Sequence, residues 1–138
     1  MNLLEIRDRL RAEAMPPLKL VDNVGSSAAA QGQARGVPQS PAAFTVPIGE
    51  DAEPNRYGHG AHAQRTTSRF GVLLAVRELS DAKGGAAADA LDTLRDAVIP
   101  TLIGWQPASA DEEIEFVRGS LVDIQDGILW WLDEFRTT

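Results

Sequence analysis

No cysteine occurs anywhere in the sequence, which excludes disulfides, thiolate nucleophiles and cysteine-ligated metals, and means that no oxidising compartment is needed for stability. Long apolar runs are also missing. The opening segment MNLLEIRDRLRAEA carries charges every few residues, and no later stretch approaches the roughly 18 uncharged apolar residues of a membrane span, nor does the opening fit the pattern of a secretion signal. Basic charge is in deficit, with 13 Lys and Arg against 20 Asp and Glu and a formal net charge of -7. That balance works against non-specific adhesion to nucleic acid, where a basic patch supplies most of the affinity. It suits a wall beside which DNA must pass without sticking.

What remains is a chain of 138 residues, 43% of them hydrophobic, the size of one domain with one core that buries roughly two-thirds of its unfolded surface. Leu3, Ile6 and Leu10 recur on one stripe of a short helix, with Asn2 as N-cap, Glu5 in capping-box position and Met1 placed to staple onto Ile6. Pro16 and Pro17 stop it. Residues 18–24 read as a first strand, and Gly25 to Ser27 as the turn into a small alanine-rich helix ending near Gly36. In 42–48, Phe44, Val46 and Ile48 alternate with Ala43, Thr45 and Pro47. That is a strand, with Pro47 placing it at an edge or a strand end.

The stretch 49–66 is polar, glycine-bearing and without apolar period, so it reads as a long mobile loop that becomes ordered against a neighbour. Its candidate partner-facing residues are Glu50, Asp51, Glu53, Arg56, Tyr57, His59 and His62. Residues 67–77 are apolar on both faces, as in a central strand. After Gly84 and Gly85, 86–103 form the main helix, with Leu91, Leu94, Val98 and Leu102 on one face and Pro100 requiring a kink or a restart.

The runs 114–124 and 128–138 flank Asp126-Gly127, the pair preferred in a two-residue type I′ hairpin turn. That register pairs Gln125 with Ile128, Ile124 with Leu129, Val122 with Trp131 and Arg118 with Phe135. Phe116, Val122, Ile124, Leu129, Trp131 and Phe135 then share a face covered by the helices. Leu121, Trp130 and Leu132 share the other with Asp123, Glu115, Glu134 and Arg136, a mixture that marks a candidate subunit interface. Trp131 and Trp105 belong to the core on this reading. Trp130 needs cover from either a neighbouring subunit or its own chain.

Catalytic chemistry finds little support. His59 and His62 could meet one metal with Glu50, Asp51 or Glu53, but ligands on a flexible glycine loop are poorly held, so no metal or cofactor is assigned. Gly58, Gly60 and Gly71 lack the Gly-Lys-Ser/Thr ending of a phosphate cradle. No Gly-x-Ser-x-Gly occurs for a serine nucleophile, and the carboxylates of Asp111 to Glu113 and Asp133-Glu134 read as solvated faces or turn residues. The chain does not read as an enzyme.

The order helix, strand, small helix, strand, long loop, strand, helix, hairpin resembles the tail terminator, or tail completion, proteins of tailed bacteriophages. The likeness is carried by LLEIRDRLRAEA, LKLVDNVGSSAA, PQSPAAFTVPIGEDAEPN, RTTSRFGVLLAVRELSDAKGG, LIGWQP and IEFVRGSLVDIQDGILWWLDEFRTT, which together span nearly the whole chain. It implies one α+β domain with a mixed or antiparallel sheet of about five strands and flanking helices. It also implies a closed ring of copies, typically a hexamer, that caps the tail tube, ends its polymerisation and offers a surface to head-completion or connector proteins while DNA passes through. The implied locations are the virion tail and, during assembly, the cytoplasm of the bacterial host. A head-tail connector or tail-tube component would share these features. A small ligand-binding domain with a pocket beneath the 49–66 loop is the reading from a different class.

Overall fold

Apolar residues spaced three and four apart form the two main helices of the computed structural model, which describes residues 1–26, 28–30, 40–57, 60, 62–77, 85–125 and 127–138. Helix α1 spans Leu3–Glu13, with Ile6 and Leu10 buried. Asn2 caps it by accepting the Leu4 N–H at 2.9 Å. Glu5 does not close a capping box. It accepts the N–H and hydroxyl of Ser109, while the Asn2 N–H donates to Ser109 Oγ at 2.8 Å. A tertiary partner has displaced the local one, which pins the start of α1 to a loop more than a hundred residues away in the chain.

Helix α2 spans Gly85–Leu102 and buries Ala87, Leu91, Leu94, Val98 and Leu102, the stripe that the spacing predicts. It continues through Pro100 as one element rather than restarting. Proline in the last turn removes only one backbone hydrogen bond near a fraying end.

Five strands follow from the alternating segments: β1 Leu20–Asn23, β2 Ala42–Ala52, β3 Thr66–Arg77, β4 Glu115–Gln125 and β5 Ile128–Thr137. They form one sheet in the order β1-β2-β3-β5-β4. Only β1 and β2 are parallel, while the other neighbours are antiparallel, so the domain is α+β with a mixed sheet. A parallel pair needs a crossover, and this one includes helical residues 28–30. The rest of the expected alanine-rich helix, 31–39, lies outside the described residues.

The polar stretch after Ile48 is not all loop. Gly49 to Ala52 continue β2 and pair with Arg69 back to Thr66, because central strand β3 offers its edge that far. Pro47 is accommodated because β1 pairs only with 42–45, and the β2 register slips between Pro47 and Gly49. From Val46 onward, β2 is an outer edge, where a missing N–H is tolerated.

Both faces of the sheet are covered. Phe70, Val72, Leu74 and Val76 of β3 join Leu129 and Phe135 of β5 under the two helices. On the other face Leu73 and Ala75 pack with Ala30, Phe44, Ile128 and Trp130. Trp130 is 1% exposed, its ring 6.2 Å from that of Phe44. It is therefore not an exposed interface anchor. The cover comes from its own chain, in which the crossover brings Ala30 onto this second face.

Trp130→Ala should cost about 3–5 kcal/mol of unfolding free energy, measured by chemical denaturation, while a loss below about 1 kcal/mol would show that the ring lies outside the core.

Candidate assembly surface

The C-terminal hairpin begins in the register that its turn dictates. Gly127 has φ 75°, a left-handed conformation that a Cβ disfavours and that a type I′ turn requires; Asp126 lies outside the described residues. Gln125 pairs with Ile128, Ile124 with Leu129 and Asp123 with Trp130. Beyond that point β4 gains a residue twice, at Val122 and at Val117, so Leu121 rather than Val122 meets Trp131, and Phe116 rather than Arg118 meets Phe135. Each bulge falls on an apolar doublet, Leu121-Val122 or Phe116-Val117, that breaks strict alternation. Those doublets are the local sequence signal of the two slips.

A buried ion pair sets how closely β4 can approach. Asp133 of β5 is fully buried and accepts from Arg95 of α2 at 3.0 to 3.2 Å. Trp131 Nε1 donates to the same carboxylate at 2.9 Å, and the Arg95 guanidinium stands 4.9 Å from the Trp131 ring centroid. Gly119 of β4 is the register partner of Asp133. A Cβ there would sit 2.6 Å from Asp133 Oδ1 and 2.9 Å from Arg95 Nη2. Only glycine lets the outer strand cross this cluster.

The expected helix-covered face is thus covered on β5 alone. The helices pack on β1, β2 and β3 and reach β5 through the shared core and Arg95, and β4 lies beyond as the outer edge of the sheet. Phe116 is 38% exposed, Leu121 53%, Val122 39% and Ile124 63%, and the Phe116 ring packs edge-on to Phe135 at 5.6 Å. By register, Leu121 and Ile124 lie on the helix side, with Trp131 and Leu129.

The residues first marked as a subunit interface do not form one patch. Trp130 is core, Leu121 has moved to the other face through the bulge, and Leu132 is half-buried against the second cluster. Glu134 pairs with Arg118 at 3.1 Å and Arg136 with Glu115 at 2.9 Å, so the charged members form cross-strand ion pairs. The exposed apolar residues missed by that reading are Val122, Ile124 and Phe116; Ile124 and Phe116 keep the face the turn gives them but lie on the outer strand, beyond the cover of the helices.

At the opposite edge, Met1, Leu3, Pro47 and Phe70 line an apolar groove bordered by Glu50 and Arg69. Glu50 and Asp51 stand on strand β2, with Asp51 paired to Arg69 at 3.2 Å. Beyond them the chain forms an arm rather than an open loop: Glu53 N–H donates to Arg65 O at 2.8 Å and Arg56 N–H to Ala63 O at 3.3 Å. Glu53 and Arg56 pair across 3.3 Å, Tyr57 is 58% exposed, and His62 is exposed. His59 lies outside the described residues. Among the described residues no three His, Asp or Glu side chains gather at metal-binding spacing, and no helix is long and apolar enough to cross a membrane.

Among the described residues the two most exposed aliphatic side chains, Ile124 and Leu121, both stand on the open edge strand β4 of this layered domain. The family model of the phage tail terminator protein matches residues 1–138, and the chain belongs to that family. It is a structural protein of the virion tail, in a family that is not one of enzymes. No curated protein matches the sequence. Among solved structures, a chain described as "Virion of native gene transfer agent (GTA) particle" has a similar fold, with a TM-score of 0.55 and 18% identity over 96% of this chain and 89% of that one.

Arg95→Ala should destabilise the fold by about 3 kcal/mol because it strands a buried carboxylate, whereas replacing Arg95 and Asp133 together by leucine should recover most of that loss. Denaturant midpoints decide it, and an Arg95→Ala midpoint equal to the parent would remove the ion pair from the account.

Proposed function

We propose that copies of this chain close into a ring, of about six subunits, that caps the tail tube, stops tube polymerisation and presents a joining surface to head-completion or connector proteins. The observation that carries this reading is the uncovered apolar row on β4, since exposed Leu121, Val122 and Ile124 on one strand are unusual for a chain that works alone. Family membership supports a place at the tail. The formal charge of -7 supports a lumen through which DNA passes without being held, because phosphate repels such a wall.

The 53–65 arm is the part we assign to contact with a neighbour. It projects past the last ladder pair, Ala52 with Thr66, and carries Arg56, Tyr57 and His62 away from the core. Assembly itself takes place in the bacterial host cytoplasm on this reading, where a cysteine-free chain is at no disadvantage.

Native mass measured with and without tube protein tests the proposal. A closed species near six subunits is expected, with slower amide exchange at Arg56 and Tyr57 than in a dissociated subunit. A chain that stays monomeric at every concentration and in the presence of tube protein contradicts the ring, and unchanged exchange removes the arm from it.

A further inference from the structure

Apart from the outer side of the short terminal strand β1, the described residues leave two stretches of sheet edge open, and they are unlike each other. One is β4 along its outer side. The other is β2 from Val46 to Ala52, past the point where β1 stops pairing. Strands β2, β3, β5 and β4 alternate in direction, so the two open edges run opposite ways. A second copy set beside the first, turned only about an axis roughly along the strands, therefore offers its β2 edge antiparallel to the first copy's β4. That is the more stable pairing, and open edges are templates for it.

The side chains agree with this placement. Leu121 and Ile124 lie on the helix side of β4 by register with Trp131 and Leu129, and Pro47 lies on the helix side of β2 by register with Phe70. The apolar row of one edge and the apolar groove of the other are thus on the same side of the sheet. Glu50 and Arg69 border the groove, whereas Arg118 and Asp123 of β4 lie on the opposite side of the sheet by register with Glu134 and Trp130, so the β4 row that meets the groove is apolar.

We propose that the β4 edge of one copy docks, head to tail, into the β2 groove of the next. Resting on the ring reading above, this names the two surfaces that meet. The bulges at Val117 and Val122 confine a backbone ladder to the stretch between them, and Leu121, Val122 and Ile124 carry the rest of the contact in the groove beside Met1, Leu3 and Pro47. A contact between two different surfaces repeats from copy to copy and closes only as a ring, whereas β4 against β4 would stop at two subunits and leave the groove empty.

Two full-length variants test it. Leu121→Asp with Ile124→Asp blocks β4 alone, and Pro47→Asp blocks the groove alone. All three side chains are exposed, so melting temperatures should stay within a few degrees of the parent; Ala52→Asp, on the same open edge, replaces Pro47→Asp if that variant melts early. Aspartate on both sides keeps the doubly altered contact closed. Each variant alone should lose the ring and run as a monomer, and an equal mixture should form a species of two subunits through its one intact contact. The proposal is overturned if either variant assembles like the parent, if the groove variant alone forms dimers, or if the mixture stays monomeric. A parent chain that never forms a ring defeats the ring reading, and this pairing with it; a ring that survives either block defeats the pairing only.

Discussion

The carboxylate of Asp133 has no exposed surface, and a charge in that position must be given fixed donors or it would unfold the strand that carries it. Arg95 and Trp131 provide them. Much of the architecture follows from this one requirement. Arg95 sits on α2, so the ion pair locks the main helix over β5 at a set height above the sheet. The outer strand must pass the same cluster, and it does so at Gly119, where no side chain stands in the way. Beyond that crossing the helices provide no roof, and the apolar residues of β4 are left facing out.

The result is a domain satisfied on both faces of its sheet and unsatisfied at its edges. The helices cover one face, and the crossover after β1 contributes Ala30 to the cover of the other, which encloses Trp130. Burial of that kind supports a subunit that folds before it assembles. Apolar surface that remains outside lies along strands, where backbone and side chains can engage a neighbour together. On the ring reading proposed above, apolar edges on an acidic body would let the subunit bind its own copies firmly without holding the passing DNA.

Much of this was legible in the sequence. The stripe of Leu91, Leu94, Val98 and Leu102, the two-faced apolar run of β3 and the Asp126-Gly127 turn each carry a strong local signal, and each led to the right element. Most of the errors have long-range causes. Glu5 left its capping box for Ser109, a partner that periodicity cannot see. β2 ran on to Ala52 because β3 extends beside it, although its own residues are polar. The hairpin face was misread twice: register was carried unbroken from the turn, when the doublets Leu121-Val122 and Phe116-Val117 each absorb an extra residue, and β4 was given a helix cover it lacks, so Ile124 and Phe116 stand exposed. Trp130 was left between two kinds of cover for a related reason: the crossover that buries it is a matter of topology, and adjacent residues on a strand say only that one of the pair faces each way.

The central claim is that this chain ends tube growth, and the length of the tubes measures it directly. Tails assembled from purified tube protein should be imaged by electron microscopy with this chain present and absent. The account predicts tubes of uniform length, each bearing one ring of density at a single end, when the chain is present, and overlong tubes of scattered length without it. Identical length distributions in the two samples, or density of this chain spread along the tube rather than at its end, would contradict it.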